Sequence, residues 1–506
     1  MNGKIAATIT SEDSFRPELL NPFVHHLELG TTYEKIKTGL FTILLLPVRV
    51  VIICSLLIAG WMIAIVGLWG LTEDDLREKP VTGWRSSVRH VACRLTLLMF
   101  TVGGFRLKVV GVRATRAEAP VVALAPHSSF IDSICMVYMG APSIVAKAET
   151  ANIPFFGKLI NFTQPVYVWR DDPDSRHNTI KEIISRATSD LDWPQILIFP
   201  EGTCTNRSCL ITFKPGAFYP GVPIQPVCIR YPNKLDTVTW TWEGPSALKL
   251  LWLTLTQVYS YCEIEFLPVY TPSEAEKRDP KLFANNVRNV MAKALGVPVL
   301  DYTYDDCRLM TRAKEMNLPH ANSLVEIQKL RRRLGLDQSN IEEKLLEVAV
   351  DNKNFRRTTL AMFANYLNLP STSPAVHQLF RYLDTDASGV IDFREYLLGV
   401  LATCKKRNVL ETIKIACRIY DRDGVGRLSL DDFAKVLNQT LAMRVNEAVD
   451  VFHQIDRRGL NYVTFENFKS YAEKKAEFAS LFSISKEEKF KSKNGDLCPE
   501  YEKKVE

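Results

Sequence analysis

One stretch near the start of the chain is almost continuously apolar. From Leu40 to Leu71 the only charged residue is Arg49. Because about 20 apolar residues cross a bilayer core, the stretch predicts a membrane helix or, bent at Pro47 and Gly60, a re-entrant hairpin. Basic residues flank it on both sides, so the distribution of charge leaves its orientation open.

Short apolar strands alternate with helical stretches between Leu107 and Pro298. We predict strands at 143–147, 166–169, 196–199 and 225–231, with helices at 153–162 and 179–191. This order indicates an α/β domain whose helices cover a largely parallel sheet. Two further apolar segments, 84–105 and 248–261, are predicted either to lie on the membrane surface or to pack against the sheet.

Beyond Arg308 the sequence becomes charged and helical, which marks a second domain. Within it, Asp384 to Glu395 (DTDASGVIDFRE) has the spacing of an EF-hand calcium loop, with Gly389 at position 6 for the sharp turn. Oxygen-bearing side chains occupy positions 1, 3, 5, 9 and 12. The calcium ligands assigned to this first loop are Asp384, Asp386, Ser388, Val390 and Glu395.

A second loop, Asp421 to Asp432 (DRDGVGRLSLDD), is weaker. Val425 offers no side-chain oxygen at position 5, and aspartate is shorter than the usual glutamate at position 12. Its weaker calcium ligands are assigned to Asp421, Asp423, Arg427 and Asp432. We expect it to prefer Mg²⁺ or to serve as a structural partner. A third copy at 456–467 has lost most ligands, and a degenerate fourth unit is expected at 354–369.

The most informative stretch for chemistry is Val121 to Asp132 (VVALAPHSSFID). An apolar strand ends at Pro126, and Ser128 or Ser129 can cap the helix that follows. His127 then lies in the turn and Asp132 in the first helical turn, so the carboxylate can fold back on the imidazole. An imidazole held in this way has one nitrogen free to take a proton, as a general base does.

Two more strands end in polar residues. Ile196 to Arg207 (ILIFPEGTCTNR) runs into a carboxylate and hydroxyls, and Pro165 to Arg170 (PVYVWR) ends on a cation. In an α/β sheet such strand ends tend to lie along one edge, where sites form. The edge would then present a base, a carboxylate with a hydroxyl, and a positive charge.

These residues resemble a known family. His127 to Asp132 resembles the H-x-x-x-x-D motif of the glycerolipid acyltransferases, and Phe199 to Thr203 resembles their F-P-E-G-T motif. Arg170 falls where the second block carries a substrate-contacting arginine, and Val222 to Pro226 resembles the fourth block. The longer run EGTCTNRSCLITFKPGAF resembles the lysophosphatidylcholine acyltransferases in particular, some of which carry EF-hands after the catalytic domain.

The resemblance implies transfer of a fatty acyl group from acyl-CoA to the free hydroxyl of a lysophospholipid, most readily lysophosphatidylcholine. In that scheme His127 is the base and Asp132 orients it, without an acyl-enzyme or a catalytic metal. The implied substrate-binding residues are Arg170, Glu201, Gly202, Thr203 and, more weakly, Arg207. The sequence leaves open whether acetyl-CoA also serves, as in some relatives, to make platelet-activating factor.

We therefore predict a membrane-anchored α/β acyltransferase domain followed by an all-α EF-hand domain. The predicted segments are a polar start (1–37), the membrane segment (38–75), the acyltransferase domain (80–310), a helical linker (311–345), the EF-hand domain (346–475) and a charged tail (476–506).

Charge and termini bear on partners and location. A net charge of +6 fits work at an anionic lipid surface, and no nucleic-acid partner is indicated. The eleven scattered cysteines fit a reducing compartment. The terminal KKVE resembles a dilysine signal of endoplasmic reticulum membrane proteins, and Golgi and lipid droplets are further expected locations. The predicted catalytic and EF-hand domains would then face the cytosol.

Two alternatives to the acyltransferase function are considered. One is a calcium-sensing protein with an inactive acyltransferase domain. The other is a lipid hydrolase, which is disfavoured by the lack of a G-x-S-x-G motif.

Overall fold

The computed structural model describes residues 21–169, 174–315, 318, 323–336, 341–348, 353–404, 409–421, 424–441, 443–475 and 478. The chain divides into two compact units. The first comprises residues 19–307, and the second begins at Arg308. Each unit is described by itself below.

The first unit opens with four helices. They are α1 (Thr32–Leu44), α2 (Leu46–Leu68), α3 (Glu73–Glu78) and α4 (Trp84–Val102). Pro47 stands in the first turn of α2, where its missing N–H costs nothing, and Gly60 does not interrupt the helix. Among the described residues, α2 alone is long and apolar enough to cross a membrane.

A seven-stranded sheet forms the centre of the first unit. The strands are β1 (Phe105–Val110), β2 (Val121–Ala125), β3 (Ser143–Lys147), β4 (Val166–Val168), β5 (Ile196–Ile198), β6 (Ile224–Arg230) and β7 (Ser260–Phe266). Their order is β1-β7-β6-β2-β5-β3-β4, and only the β6–β7 pair is antiparallel. The predicted mixed α/β fold with a largely parallel sheet is therefore confirmed.

Helices cover both faces of this sheet. They include α5 (Ser133–Tyr138), α6 (Phe156–Asn161), α7 (Ser175–Thr188), α8 (Ala247–Leu255), α9 (Glu274–Arg278) and α10 (Pro280–Leu295). Alternate residues of β2 point into opposite core layers, so all five are fully buried. Ile183 of α7 and Phe283 of α10 pack in one layer, and Ile134 of α5 packs in the other. The central position of β2 fixes where its C-terminal turn emerges.

The lone charge of the apolar stretch has a specific partner. Arg49, only 7% exposed, donates from Nη1 to the carbonyl of Leu255 and from Nη2 to that of Val258, both at 2.8 Å. These carbonyls lie at and just beyond the C-terminal end of α8, where a helix dipole favours a cation. The interaction ties the start of α2 to the end of α8 within the first unit.

The other end of α2 also contacts this unit. Gly67 lies so close to the Phe162 ring that a Cβ atom would clash with it, and Gly60 faces Leu159 of α6. Small residues on this face allow the close approach. Since both ends of α2 touch the same unit, the helix lies along its surface. Its outer face exposes large apolar side chains, namely Val48, Val51, Ile58, Met62 and Val66.

The second unit is helical. Its helices are α11 (Tyr304–Glu315, which begins just before the boundary), α12 (Leu324–Arg333), α13 (Ile341–Val348), α14 (Leu360–Tyr366), α15 (Pro374–Leu383), α16 (Phe393–Cys404), α17 (Val409–Tyr420), α18 (Leu430–Leu441), α19 (Val445–Ile455) and α20 (Phe465–Ala472). One core includes Leu324 and Ile327 of α12 together with Phe393 and Phe468. The segment predicted as a linker thus contributes to the same core as the helices after it.

Two short antiparallel pairings join the helical pairs of this unit. Strands β8 (Thr358–Thr359) and β9 (Val390–Ile391) pair with each other, and Leu428 pairs with Val463. A helix-strand-helix unit therefore precedes Asp384, at the place where a degenerate repeat was expected. The loops that begin at Asp384 and Asp421 each lie beside a partner loop.

Candidate active site

The turn after β2 brings His127 and Asp132 together. Residues Phe130–Asp132 form a 3-10 turn that Ser129 caps through a hydrogen bond from the Ile131 N–H. The turn folds the carboxylate back, so that Asp132 Oδ2 lies 2.8 Å from His127 Nδ1. The same oxygen accepts from the backbone N–H of Ser128 at 2.7 Å. The orientation of the imidazole is thus fixed by a carboxylate that is itself fully buried.

A buried tyrosine completes this array. Tyr231 follows β6, the neighbour of β2, and its hydroxyl donates to Asp132 Oδ1 at 2.7 Å. Burial alone would raise the pKa of Asp132, but the hydrogen bonds from His127 and Tyr231 outweigh it, and the pKa is lowered. Asp132 therefore stays ionised. Sequence reasoning missed Tyr231, although its place just after a strand beside β2 was a usable signal.

The imidazole keeps access to the surface. With Nδ1 bound to Asp132, Nε2 is the nitrogen available to take a proton, and 21% of the side chain is exposed. The Phe199 ring stacks on it with centroids 4.1 Å apart. Burial alone would lower the pKa of His127, but the adjacent Cys204 sulfur and the Asp132 carboxylate raise it above its ordinary value. The site therefore favours the imidazolium.

Glu201 lies behind His127. Its carboxylate is 0% exposed, accepting from the backbone N–H of His127 at 2.6 Å and, through the other oxygen, from that of Ile211 at 3.3 Å. Burial raises the pKa of Glu201 to about 7, against the effect of these two hydrogen bonds. The carboxylate expected to bind the acceptor is thus directed at the backbone that carries the base.

The next residues of this motif continue around His127. Gly202 has a φ of +68°, a backbone conformation that residues with a side chain rarely adopt, so glycine is needed there. Thr203 accepts a hydrogen bond from the Trp242 indole at 3.0 Å. Thr205 donates its N–H to the His127 carbonyl at 2.7 Å. Glu201 of the motif and Thr205 just after it therefore bind the N–H and the carbonyl of His127.

Of the two predicted arginines, the structure describes one. Arg207 binds Asp236 at 2.6 Å, and its guanidinium lies 5.2 Å from the centre of the Tyr231 ring. Its buried Nη1 has no hydrogen-bond partner among the described residues. Arg170 lies outside the described residues, next to Trp169 at the end of β4.

The first predicted calcium loop is tightly turned. Asp384 accepts from the backbone N–H groups of Ser388 and Gly389 at 2.9 and 3.0 Å, and Gly389 has a φ of +73°. Asp386 also accepts from the Ser388 N–H, at 3.2 Å. Val390 presents its carbonyl to the Ser388 hydroxyl at 3.0 Å. Glu395 lies in the first turn of α16, directly after the loop.

In the second loop, Asp421 accepts from the Gly426 N–H at 2.7 Å, while its other oxygen is buried without a partner in the described chain. Asp432 accepts from the Ser429 hydroxyl at 2.7 Å, and the Arg427 side chain lies over the Tyr462 ring. Asp423 lies outside the described residues. Within the described ranges, no three His, Cys, Asp or Glu side chains cluster closely enough to hold a metal ion.

Comparison with known proteins decides the family. The acyltransferase family profile matches residues 106–230. Lysophosphatidylcholine acyltransferase of Drosophila melanogaster is 44% identical over 95% of this chain and 92% of its own length. The chain belongs to the lysophosphatidylcholine acyltransferase family. Lysophosphatidylcholine acyltransferase 2 of Homo sapiens is 44% identical (93% and 86% covered), and lysophosphatidylcholine acyltransferase 1 of Rattus norvegicus is 45% identical (91% and 86%).

This membership confirms the prediction of an acyltransferase enzyme and does not favour an inactive domain. The matched residues contain His127, Asp132, Glu201 and Arg207. A solved structure, the 1-acyl-sn-glycerophosphate acyltransferase PlsC of Thermotoga maritima, aligns with 52% of this chain and 96% of its own at 16% identity and a TM-score of 0.34.

Proposed function

We propose that the chain transfers a fatty acyl group from acyl-CoA to the free hydroxyl of lysophosphatidylcholine, in phospholipid synthesis and remodelling. The observation that carries the proposal is the 2.8 Å contact between His127 and Asp132, in a domain that matches the acyltransferase family. The choice of lysophosphatidylcholine as acceptor rests on the similar proteins, which are named lysophosphatidylcholine acyltransferases.

In the proposed reaction His127 acts as general base. Its Nε2 takes the proton of the acceptor hydroxyl while that oxygen attacks the thioester carbonyl. The C–S bond then breaks, and the CoA thiolate takes the proton back from the imidazolium. Asp132, held by Tyr231, stabilises the imidazolium between these two steps. A new ester and free CoA-SH result, with no acyl-enzyme.

The arginines are proposed to bind phosphate. Arg207 has a buried Nη1 that lacks a partner in the described part of the chain, and a phosphate oxygen of a substrate would satisfy it. Arg170 and the Gly202–Thr203 turn are proposed to contact the acceptor. Glu201 is instead proposed as a positioning residue, since its carboxylate binds backbone N–H groups.

The test is acyl transfer by membranes that carry the full chain, with labelled palmitoyl-CoA and separate lysophospholipids as acceptors. We expect esterification of lysophosphatidylcholine above the other headgroups. Acetyl-CoA as donor in the same assay tests for formation of platelet-activating factor. Failure to acylate lysophosphatidylcholine while another lysophospholipid is esterified would reject the proposed acceptor.

The rate should depend on pH through His127. Only the neutral imidazole can accept the proton, and the pKa of His127 is raised, so kcat/KM should rise with pH through an inflection above the ordinary value of 6.5. Cys204 contributes to the raised pKa, so Cys204→Ala should move the inflection to lower pH. Cys93→Ala, on α4 outside the site, should leave it unchanged. An inflection at or below 6.5 in the unaltered chain would contradict this assignment.

We propose that the protein works on the endoplasmic reticulum membrane, and also on Golgi and lipid droplets, with both domains in the cytosol. The apolar outer face of α2 supports membrane association, and its contacts at both ends support a position along the bilayer surface. A helix that crossed the bilayer alone would carry one end about 30 Å away from the domain.

Calcium binding by the second unit is also proposed. Paired loops and the tight turn at Gly389 support an EF-hand arrangement, with Asp384, Asp386, Ser388, the Val390 carbonyl and Glu395 as ligands of the first loop. One oxygen of Asp421 is buried and has no partner among the described residues, which supports a second site with Asp423, the Arg427 carbonyl and Asp432. Bound Ca²⁺ would supply positive charge that fixes the loops.

Substitutions at position 12, which is Glu395 in the first loop and Asp432 in the second, should show which loop binds calcium more tightly. Glutamate can bind calcium through both carboxylate oxygens, whereas Asp432 is one methylene shorter. Glu395→Gln should therefore weaken the higher-affinity step at least about tenfold in calcium titrations. Asp432→Asn should cause a smaller loss at the weaker step. Equal losses in isothermal titration calorimetry of the full chain would contradict the ranking.

A further inference from the structure

A cavity of about 480 Å³ lies at the sheet edge, alongside β4 and next to the end of β3. Its walls include Glu73 and Arg77 of α3, Glu149 after β3, and Tyr167 and Trp169 at the end of β4. We refer to it as the β4 cavity. The proposed reaction at His127 uses none of these five side chains.

The walls of the β4 cavity are held in place by Gln164, which is 1% exposed. Its amide nitrogen donates to the carbonyls of Leu76 and Lys79 at 2.9 and 2.7 Å, and its amide oxygen accepts from the Val81 N–H at 2.7 Å. These bonds fix α3 beside the start of β4. The cavity is therefore formed by the fold itself and does not need a ligand to shape it.

Its side chains suit a zwitterion. The walls carry two carboxylates, Glu73 and Glu149, and one guanidinium, Arg77, so they are net negative. Aromatic faces attract quaternary ammonium groups, and the Tyr167 and Trp169 rings lie 6.5 Å apart. Trp169 is 48% exposed, and Arg77 already lies 5.6 Å over its ring. Burial and the nearby Glu73 raise the pKa of Tyr167 to about 12, and the Tyr167 hydroxyl donates to Asn161, another residue of the cavity wall.

The reach of the acceptor can be compared with the sheet spacing. His127 follows β2, and β5 and β3 lie between β2 and β4, so Glu149 after β3 is two strand spacings away, about 10 Å, and the rings on β4 are three spacings away, about 14 Å. In glycerophosphocholine eight bonds separate the sn-2 oxygen from the nitrogen, and an extended chain advances roughly 1.2 Å per bond, which gives about 10 Å. With the hydroxyl at His127, the ammonium therefore reaches the Glu149 wall of the cavity.

We propose that the β4 cavity binds the phosphocholine headgroup of the acceptor, with the trimethylammonium group beside Trp169, Tyr167 and the two carboxylates, and the phosphate at Arg77. This inference rests on the proposed function, in which lysophosphatidylcholine is the acceptor. The negative walls would repel the phosphorylated end of CoA, which leaves Arg207 as the phosphate contact for the donor.

The test compares two acceptors in the full chain. In the double variant Glu73→Gln/Glu149→Gln, the KM for lysophosphatidylcholine should rise about tenfold, a loss of about 1.4 kcal/mol, with kcat within about twofold. The KM for lysophosphatidylglycerol, which lacks an ammonium, and for palmitoyl-CoA should not change. Glu78→Gln is the matched control, since Glu78 is exposed on the same helix and does not line the cavity. An unchanged KM for lysophosphatidylcholine, or a raised KM for palmitoyl-CoA, would overturn the proposal.

Binding of glycerophosphocholine separates this inference from the activity. Saturation-transfer NMR of its methyl protons is expected to show contact with the wild-type chain and with Glu78→Gln, and loss of contact in the double variant and in Trp169→Ala. If the wild-type chain esterifies no lysophosphatidylcholine but this pattern holds, the proposed function fails and the cavity assignment stands. Equal binding by all four proteins overturns the cavity assignment.

Discussion

Replacing His127 by alanine should lower kcat for acyl transfer by about a thousandfold, within the range that general-base catalysis contributes. Its Nε2 is the atom assigned to take the hydroxyl proton, since Nδ1 is bound to Asp132 at 2.8 Å. Asp132 is fully buried and bound to Tyr231, so it cannot replace the base. Transfer of labelled palmitate to lysophosphatidylcholine measures the loss.

Two controls show that the loss comes from chemistry. His177→Ala removes an exposed histidine from α7 in the same unit and should retain full activity. The His127→Ala chain should associate with membranes as the wild type does, because the apolar face of α2 is unaltered. If His127→Ala retains more than about a tenth of wild-type kcat, the general-base role is wrong.

The local pattern of apolar and polar residues was sufficient to predict the bounds of most strands of the sheet. Strand β3 has the predicted bounds, and β4, β5 and β6 begin or end within one residue of them. Each is a short apolar run bounded by proline, glycine or polar residues, so local signals agree with burial. Segment 248–261 was ambiguous because it contains two elements. Leu250 and Leu253 of α8 are buried while Leu248 is exposed, and β7 begins at Ser260.

Tertiary pairing accounts for what local pattern could not predict. The antiparallel pairing of β6 with β7 depends on which strands become neighbours in the sheet, and no residue of either strand predicts that pairing. Arg49 was recognised as the only charge in an apolar run, but its partners are backbone carbonyls about 200 residues away, as with Leu255. Every residue has a backbone carbonyl, so the residue types do not indicate which carbonyls will accept hydrogen bonds from Arg49. Such partners become visible only when the chain is folded.

The same distinction applies within the site. The pairing of His127 with Asp132 is local, so spacing and turn residues were sufficient to predict it. Tyr231 lies 99 positions from Asp132 and reaches it only because β6 is beside β2. For Glu201 the sequence supplied the residue and the motif, but not the direction of its carboxylate. The motif predicts a site, and the fold determines which atoms face the substrate.

Substitution of Glu201 by alanine should damage both the catalytic step and the fold. The change would leave the N–H groups of His127 and Ile211 buried without acceptors, each at a cost of about 1–3 kcal/mol. The backbone under His127 would no longer be held, so kcat should fall about a hundredfold, since a small displacement of a catalytic group can cost that much. Because the carboxylate is 0% exposed, the KM for lysophosphatidylcholine should stay within about twofold.

Glu201→Gln and Glu274→Gln make this prediction specific. The glutamine amide keeps one acceptor oxygen, so Glu201→Gln should recover part of the kcat and of the unfolding temperature that Glu201→Ala loses. Glu274 is exposed on α9, and its substitution should change neither. A carboxylate that bound the acceptor would give the opposite kinetic pattern, a large rise in KM with kcat largely kept. Steady-state kinetics and thermal unfolding of these variants in detergent therefore distinguish a residue that positions His127 from one that contacts the lysophospholipid.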